Sequence, residues 1–400
     1  MRMLSPANFG LFTLCITSSA LLVRLSSLGI TDYVCRKIGK GKPGILLDKM
    51  ISGSLFLILR QFALLALPSF FLVSLLTGMS WELSLLTVLL SLGQMLFEHL
   101  SICLKQRFYL QAYYLATTLL AIIIGTSIVL GYFFEIRATG FYLFCYSVSY
   151  FICFAILFWI AIDTLTIRHT LPERYARLLR RGGRVAFLSS IGGWLFSMSD
   201  KYLVKWLSSA DSLGHYGAVQ ATILGVANSL FLGVAVSLQA IFAKYRFDNN
   251  QIVNAKNKYL LGFGLFVFVF LWPASLLSKY WVPLYFGNSF IGSEKIVPIV
   301  AACVFIQFLN MPLGDSVMAK NPRSQLGFSV CALFAGFINL IMNFYLIPIW
   351  GAEGAALSGV ISFLVPFFYS LFLSIRLGLP IKLEMTMFLG VTLMWGAIYV

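Results

Sequence analysis

Charged residues are scarce in this sequence. Only 11% of the 400 residues are Asp, Glu, Lys or Arg, whereas soluble globular domains carry about 25%. Hydrophobic residues make up 60% of the chain, and so few charged residues cannot cover the water-exposed surface around a single hydrophobic core. The composition excludes an ordinary soluble domain, and the repeated apolar runs of about 20 residues indicate membrane-spanning helices.

The sequence also lacks the motifs of catalysis and of metal binding. The three histidines (His99, His169 and His215) are scattered, and none has a partner at metal-ligand spacing. The seven cysteines lie mostly inside apolar runs without paired spacing, so we interpret them as small hydrophobic residues. No phosphate-binding loop and no Gly-x-Ser-x-Gly elbow occurs. We therefore expect a protein that is not an enzyme and needs no metal and no cofactor.

Acidic residues are few, with 14 Asp and Glu against 29 Lys and Arg, and the net charge is +15. Such a charge is typical of proteins that bind nucleic acid or an anionic membrane surface. Here the basic residues are gathered in alternate loops between the apolar runs, which is the positive-inside pattern of a multi-pass membrane protein. The basic loops are therefore predicted to be cytoplasmic, and no nucleic-acid partner is expected.

Twelve apolar segments are long enough to cross a bilayer. A weak internal repeat relates Phe9–Phe12, at the start of the first segment, to Leu213–Tyr216, at the start of the seventh. The predicted fold is an all-α integral membrane protein with about twelve transmembrane helices in two six-helix bundles, as in transporters built from repeats. The segments are 7–31, 50–77, 82–104, 110–134, 138–163, 185–208, 214–243, 259–281, 294–318, 325–349, 352–377 and 383–400.

The bundles are predicted at 1–163 and 185–377, and a partial transmembrane helix is predicted at 378–400. The linker between the bundles, 164–184, is predicted to be a basic amphipathic helix on the cytoplasmic membrane surface, with a solvated basic linker as the alternative. Its apolar residues share one helical face, from which its arginines are excluded: Tyr175, Leu178 and Leu179 against Arg174, Arg177, Arg180 and Arg181.

Four stretches in order resemble one family. Two segments meet at a tight corner in the last of them, where small residues favour close helix packing. The stretches are Phe9-Gly10-Leu11-Phe12 through Leu28-Gly29-Ile30; Ser199-Asp200-Lys201-Tyr202-Leu203 with Leu213-Gly214-x-Tyr216; Tyr285-Phe286-Gly287-Asn288-Ser289-Phe290; and Asn339-x-x-x-Asn343 with Leu346-Ile347-Pro348-x-x-Gly351-x-x-Gly354-Ala355-Ala356. Together they resemble the Wzx-type polysaccharide and O-antigen flippases of the multidrug/oligosaccharidyl-lipid/polysaccharide (MOP) superfamily.

The resemblance implies a MATE-like fold in a bacterial inner membrane. It implies alternating-access transport of an undecaprenyl-phosphate type lipid-linked oligosaccharide for O-antigen, capsule or exopolysaccharide synthesis. A glycan polymerase and a chain-length regulator are the implied partners. Relative to this family, the chain is expected to lack the first helix and the C-terminal end, because the first span follows Met1 closely and the last stops at Val400.

Charges inside the apolar segments are the candidate binding residues, because such charges are costly in hydrocarbon. Arg60 lies about ten residues, or roughly 15 Å, from the predicted cytoplasmic end of its span. It is the first candidate for a phosphate contact, because a guanidinium binds phosphate oxygens bidentately. An interhelical ion pair with a carboxylate such as Asp200 is the alternative. Arg24 is a further cavity candidate, or a side chain that reaches the cytoplasmic headgroups.

The sixth segment carries Asp200, Lys201 and Lys205. Lys201 and Lys205 are four residues apart and share a helix face, so both could line the cavity. Lys205 is also close enough to the outer surface to extend toward it. Asp200 is the candidate carrier if transport is coupled to an H⁺ or Na⁺ gradient, and consumption of the substrate downstream is the other energy source. Asn228 is a neutral candidate for sugar hydroxyls.

Other intramembrane polar residues are interpreted as structural. Asp32, Glu98, Asp163 and Asp315 lie near predicted cytoplasmic helix ends and are expected to be gate or capping residues. The Asn339 and Asn343 pair is expected to pack the tight corner rather than to bind sugar.

Three rival functions stay open at this stage. A multidrug antiporter of the same superfamily would need an acidic, aromatic cavity for its mostly cationic substrates. A membrane glycan polymerase or acyltransferase would need a nucleophile, a base or a large catalytic loop. A scaffold in a glycan-assembly complex is the third.

Overall fold

A computed structural model gives the fold of the chain. It describes residues 4–31, 33–34, 45–106, 110–161, 173–245, 247–321 and 323–399. The regular secondary structure within these ranges is helical, with no β-strand among them, which confirms the all-α prediction. Asp32, Asp163 and the first part of the predicted linker, 164–172, lie outside the described residues.

The helices follow the order of the predicted spans. A π-helical turn at Val267–Leu271 joins two of the helices without a break. The helices are α1 (Pro6–Ser27), α2 (Ile45–Thr77), α3 (Trp81–Gln106), α4 (Leu110–Phe133), α5 (Thr139–Ala161), α6 (Glu173–Leu207), α7 (Ala210–Lys244), α8 (Asn249–Phe266), α9 (Trp272–Leu276), α10 (Ser278–Phe286), α11 (Ile296–Lys320), α12 (Ser324–Arg376) and α13 (Lys382–Tyr399).

Among the described residues, eight helical stretches are long and apolar enough to span a membrane, and each overlaps a predicted span. One of them, α12, covers two predicted spans because it turns a corner at Gly351. The predicted spans 185–208 and 214–243 fall on α6 and α7, which have 35 residues each. At a rise of about 1.5 Å per residue, such helices exceed the thickness of a bilayer. The chain is a multi-pass membrane protein.

The chain forms two compact units. The N-terminal unit is Leu11–Ile191, and the C-terminal unit combines Gly192–Val400 with Met1–Gly10. The boundaries therefore fall inside α1 and α6 rather than in loops. The described part of the predicted linker, from residue 173 onward, is continuous with the rest of α6.

The beginning of α6 packs closely against the end of α1 in the N-terminal unit. A Cβ on Gly29, whose φ is +70°, would lie 2.3 Å from the carbonyl oxygen of Gly183. Leu179 is fully buried, whereas Leu178 is 45% exposed, and the predicted contact of this face with the membrane surface stays a prediction. The buried face follows Ala176, Leu179 and Gly183 at helical spacing. The arginines of this segment whose side chains the structure describes are exposed: Arg177, Arg180, Arg181 and Arg184.

The two segments of the internal repeat meet in the C-terminal unit. A Cβ on Gly214 would lie 1.9 Å from the carbonyl oxygen of Pro6, and a Cβ on Gly10 would lie 3.0 Å from the backbone nitrogen of Gly214. The starts of α1 and α7 therefore touch backbone to backbone. Only glycine allows this approach, which explains why both repeat segments carry one at the same place.

The corner in α12 is the tight helical hairpin that the sequence predicts. Gly351 has φ 56° and ψ −126°, which breaks the helix between its two arms. A Cβ on Gly354 would lie 2.3 Å from the carbonyl oxygen of Leu346 on the preceding arm. The second arm can therefore return against the first only because residue 354 has no side chain.

Asn339 and Asn343 tie this hairpin together from within. Both are buried, and the amide of Asn343 donates to Asn339 Oδ1 at 2.7 Å. The hydroxyl of Ser358, on the second arm, lies 3.0 Å from Asn339 Oδ1 and 2.5 Å from Asn343 Oδ1. The amide of Asn339 also donates to the backbone of Phe196 on α6 at 2.5 Å. The prediction that this pair serves packing is confirmed.

An ion pair holds α13 in the C-terminal unit. Lys256 Nζ on α8 lies 2.6 Å from Glu384 Oε1, and both side chains are almost completely buried. Lys256 also donates to the carbonyl oxygen of Pro380 at 2.5 Å. A buried ion pair costs desolvation but is far better than either charge alone, so α13 and α8 are held in one register.

Candidate functional site

A cavity of about 230 Å³ lies among α6, α7, α11 and α12 of the C-terminal unit. Its apolar wall includes Phe196, Val304 and Phe363. Its polar side chains come from three of the four helices: Ser197, Asp200, Lys201, Tyr216, Gln220 and Gln307. The mixture of apolar surface with a few converging polar groups is typical of ligand pockets.

A charged pair with a neutral extension forms the polar part of the cavity. Lys201 Nζ lies 3.7 Å from Asp200 Oδ1, and the two side chains are 7% and 4% exposed. The other carboxylate oxygen, Oδ2, accepts a hydrogen bond from the hydroxyl of Tyr216. Gln220 Nε2 in turn donates to the Tyr216 hydroxyl at 3.2 Å. The four residues make one network that links α6 to α7.

The helical geometry of α6 explains how two neighbouring residues share the cavity. Consecutive side chains leave a helix about 100° apart, so the long side chain of Lys201 has to bend along the helix. Its ammonium group donates to the carbonyl oxygen of Ser197, one turn earlier, at 3.1 Å and lies 3.3 Å from Met198 Sδ. These contacts hold the ammonium group beside the carboxylate of Asp200.

The predicted site residues divide between the two units. Asp200 and Lys201 line the cavity of the C-terminal unit. Lys205 and Asn228 are half-buried in α6 and α7, outside the lining of this cavity as far as the structure describes it. Arg24, in the last turn of α1, and Arg60, near the middle of α2, belong to the N-terminal unit.

Arg60 lies on an uncovered apolar stripe of α2. Its side chain is exposed, and its neighbours at helical spacing, Phe56, Leu64 and Leu67, are 66%, 69% and 67% exposed. A bare arginine at the centre of a bilayer costs about 2.5–3.5 kcal/mol on the insertion scale. Among the described residues of its own unit, no carboxylate forms an ion pair with Arg60. The described part of its own unit therefore leaves the Arg60 guanidinium uncovered and without an ion pair.

The sequence prediction missed Tyr216, Gln220 and Gln307. All three are neutral, and a neutral polar residue in a membrane helix serves helix contacts as readily as ligands. A usable signal was the spacing of Tyr216 and Gln220, which are one turn apart on α7 and therefore share a face.

Two of the acids predicted as gate or capping residues lie in described helices. Asp315 is buried within α11, at 9% exposure, well before the helix ends at Lys320. Glu98 lies about two turns inside α3, and its carboxylate accepts a hydrogen bond from the side chain of Gln94 at 2.7 Å. The carboxylate of Glu98 binds a side chain of its own helix and no described helix terminus, so Glu98 is not a capping residue, and its role as a gate residue stays a prediction.

A family profile described as "Polysaccharide biosynthesis protein" matches residues 1–242, which is more than half of the chain. The chain belongs to this family. The family resemblance in the sequence is thereby confirmed. No curated protein matches the chain.

Solved structures resemble this family member over nearly its whole length. "Lipid II flippase MurJ, inward closed conformation" has a TM-score of 0.69 at 16% identity, with 98% of this chain and 90% of that chain covered. An inward-facing multidrug resistance MATE family transporter of the MOP superfamily has a TM-score of 0.66 at 15% identity, with 96% and 92% covered. A MOP superfamily transporter from Pyrococcus furiosus has a TM-score of 0.60 at 15% identity, with 92% and 88% covered. At these identities the likeness establishes a shared MurJ- and MATE-like fold.

Proposed function

We propose that this protein is a flippase for a lipid-linked oligosaccharide of the undecaprenyl-phosphate type. It works in the bacterial inner membrane by alternating access, with its basic loops on the cytoplasmic side, and supplies surface polysaccharide synthesis. Membership of the polysaccharide biosynthesis family and the structural likeness to a lipid II flippase support this function. The substrate would be handed on to a glycan polymerase and a chain-length regulator.

The observation that carries the proposal is that the one described carboxylate lining the cavity, Asp200, already has partners within the protein. Asp200 has an internal cation, Lys201, at 3.7 Å and a hydroxyl donor from Tyr216. A cationic drug would have to displace Lys201 before it could bind Asp200. The MATE neighbours fit a multidrug antiporter equally well by fold, but this pairing favours a neutral or anionic polar substrate over a cationic one.

Each unit offers polar groups that suit a different part of such a substrate. Amide and hydroxyl groups of Gln220, Gln307 and Ser197 suit sugar hydroxyls, which both donate and accept. Arg60 and Arg24 suit the phosphates, because guanidinium groups bind phosphate oxygens bidentately. Lys205 and Asn228 would extend the polar lining during transport.

Complementation of a flippase-null strain tests the proposed function. We expect the wild-type gene to restore surface glycan, because the protein moves the lipid-linked unit to the side where it is polymerised. Assembled lipid-linked units should then stop accumulating on the cytoplasmic side. Expression of folded protein without recovery of surface glycan would contradict the proposal.

Arg60→Ala is expected to lower transport by roughly 10- to 100-fold without lowering protein yield. The estimate corresponds to the loss of charge-assisted hydrogen bonds worth about 1.5–3 kcal/mol. Because Arg60 is exposed and has no described ion-pair partner in its unit, its removal should leave the fold intact.

The rate of surface-glycan recovery, corrected for membrane protein level, measures the effect. Arg137→Ala, at an exposed position in the loop between α4 and α5, is the matched control and should behave as wild type. Full transport by Arg60→Ala, or an equal loss in Arg137→Ala, would remove Arg60 from the site.

A further inference from the structure

A second polar chain lies in the N-terminal unit and joins α1 to α3. The hydroxyl of Ser19, which is fully buried in α1, donates to Gln94 Oε1 at 2.9 Å. The amide nitrogen of Gln94, Nε2, donates to Glu98 Oε1 one turn further along α3 at 2.7 Å. Hydroxyl, amide and carboxylate thus form one directed row inside a predicted membrane span, and none of the three lines the cavity described above.

The carboxylate of Glu98 has room for one more bond. Its second oxygen, Oε2, has no hydrogen-bond partner among the described residues, and no described cation forms an ion pair with Glu98. The side chain is half-buried, so the oxygen is reachable from outside the packed core. Both oxygens of Asp200, by contrast, are engaged by Lys201 and Tyr216.

None of the described titratable groups around Glu98 neutralises the negative charge of its carboxylate. On α5, the phenol of Tyr150 is close enough to Glu98 to interact with it electrostatically, and the phenol of Tyr146 is close to Tyr150. On α3 itself, His99 is directed elsewhere, since its ring nitrogens lie 3.0 Å from Thr31 Oγ1 and from Ser54 Oγ. The charged side chains described in the neighbouring spans are Arg24, at the end of α1, and Arg60, on the exposed face of α2.

We propose that Glu98, with Gln94 and Ser19, is a proton-binding site whose hydrogen-bond chain reverses direction when the carboxylate takes up a proton. In the unprotonated state Ser19 donates to Gln94 and Gln94 donates to Glu98. When Glu98 is protonated, its new O–H donates to the amide oxygen of a rotated Gln94, whose N–H₂ then donates to Ser19. No hydrogen bond of the row is lost, because an amide and a hydroxyl both donate and accept.

The direction of the amide argues for a proton rather than for a metal cation. A metal ion needs several oxygen ligands around it, whereas the group that faces the carboxylate of Glu98 is an N–H donor. Among the described residues no group of three or more His, Cys, Asp or Glu is placed to hold a metal. A single proton needs only the free lone pair of Oε2.

The role of this site rests on the proposed transport function. Proton uptake at Glu98 changes the donor at the contact between α1 and α3, and so gives a proton gradient a means of acting on the N-terminal unit. The existence of the site does not depend on what is transported. Its test is therefore made on the purified protein without substrate.

Infrared difference spectra of the full chain in lipid, recorded between low and high pH, measure the site directly. Because the chain has 14 acidic residues, the Glu98 band is isolated as the difference between the spectra of the wild type and Glu98→Gln, and we expect a protonated-carboxyl C=O band that disappears as the pH rises. Gln94→Leu should shift the frequency of this band, because the protonated carboxyl group then has no amide oxygen to donate to, whereas Glu82→Gln, at an exposed position in the first turn of α3, should leave it unchanged.

Absence of the Glu98 band from this difference, an unshifted band in Gln94→Leu, or a shifted band in Glu82→Gln would overturn the proposal. The outcome is distinguishable from failure of the flippase function. If the wild type does not complement a flippase-null strain but the Glu98 band is present and shifts only in Gln94→Leu, the proton site stands and the proposed substrate fails.

Discussion

Lys201→Met is expected to lower the free energy of unfolding by about 3–5 kcal/mol and to abolish transport. The substitution keeps the length of the side chain but leaves the buried carboxylate of Asp200 without its cation. Removing one partner of a buried ion pair leaves an uncompensated charge, which is the reason for the large cost. Thermal unfolding in detergent measures the first effect, and surface-glycan recovery measures the second.

The double variant Asp200→Asn/Lys201→Met separates stability from function. Both charges are then absent, and the amide oxygen of the substituted side chain still accepts a hydrogen bond from Tyr216, so most of the lost stability should return. Transport should stay lost, because the charged pair in the cavity is gone. A single variant as stable as wild type, or a double variant less stable than the single one, would contradict this description of the network.

Gly354→Ala is expected to open the α12 hairpin, at a cost of about 3 kcal/mol or more. A single added Cβ would lie 2.3 Å from the carbonyl oxygen of Leu346, which belongs to the backbone and cannot rotate away. The two arms must separate, and the Asn339–Ser358 hydrogen bond that joins them lengthens or breaks. Overpacking in a well-packed interior costs about 1–3 kcal/mol, and backbone displacement adds to it.

Gly262→Ala is the matched control for the hairpin prediction. Gly262 also lies in a helix of the C-terminal unit, α8, but a Cβ there would meet nothing within 4 Å. Alanine should therefore be neutral or stabilising by up to about 1 kcal/mol, since it favours the helix over glycine. The effect is measured by comparing the membrane yield and the midpoint temperature of thermal unfolding of both variants with those of the wild type. Equal midpoints for Gly354→Ala and wild type would contradict the tight return of the second arm.

The spans were predictable because membrane helices depend on length and apolar content, both of which are read directly from sequence. The hairpin was predictable for a similar reason. Pro348, Gly351 and Gly354 each restrict or free the backbone in a known way, and a cluster of small residues after a turn favours close packing.

The beginning of α6 was predicted less well, because Gly182 and Gly183 in a basic segment read as part of a linker. In the folded chain they are contact positions. A Cβ on Gly182 would lie 2.1 Å from the ring of Tyr33, and Gly183 approaches Gly29 through its backbone. Glycine in a sequence does not reveal whether it frees the chain or admits a neighbour, and only the packed partner decides between the two.

The candidate site was half predictable. Asp200 and Lys201 stand out because charges in apolar segments are costly and therefore rarely incidental. Tyr216 and Gln220 do not, since their use depends on which face of α7 meets α6. Glu98 was identified as an acid of interest, but the direction of its side chain toward Gln94 is a property of the fold and not of its distance from a helix end.

A flipping assay with the purified protein in vesicles tests the central claim most directly. The vesicles contain a fluorescently labelled undecaprenyl-phosphate-linked oligosaccharide, and a membrane-impermeant quencher is added outside. With wild-type protein, label from the inner leaflet is expected to become quenchable over time, while vesicles with the Asp200→Asn/Lys201→Met variant retain a protected fraction. A protected fraction that persists with folded wild-type protein, in vesicles that instead transport a cationic dye, would contradict the flippase function and favour the multidrug antiporter.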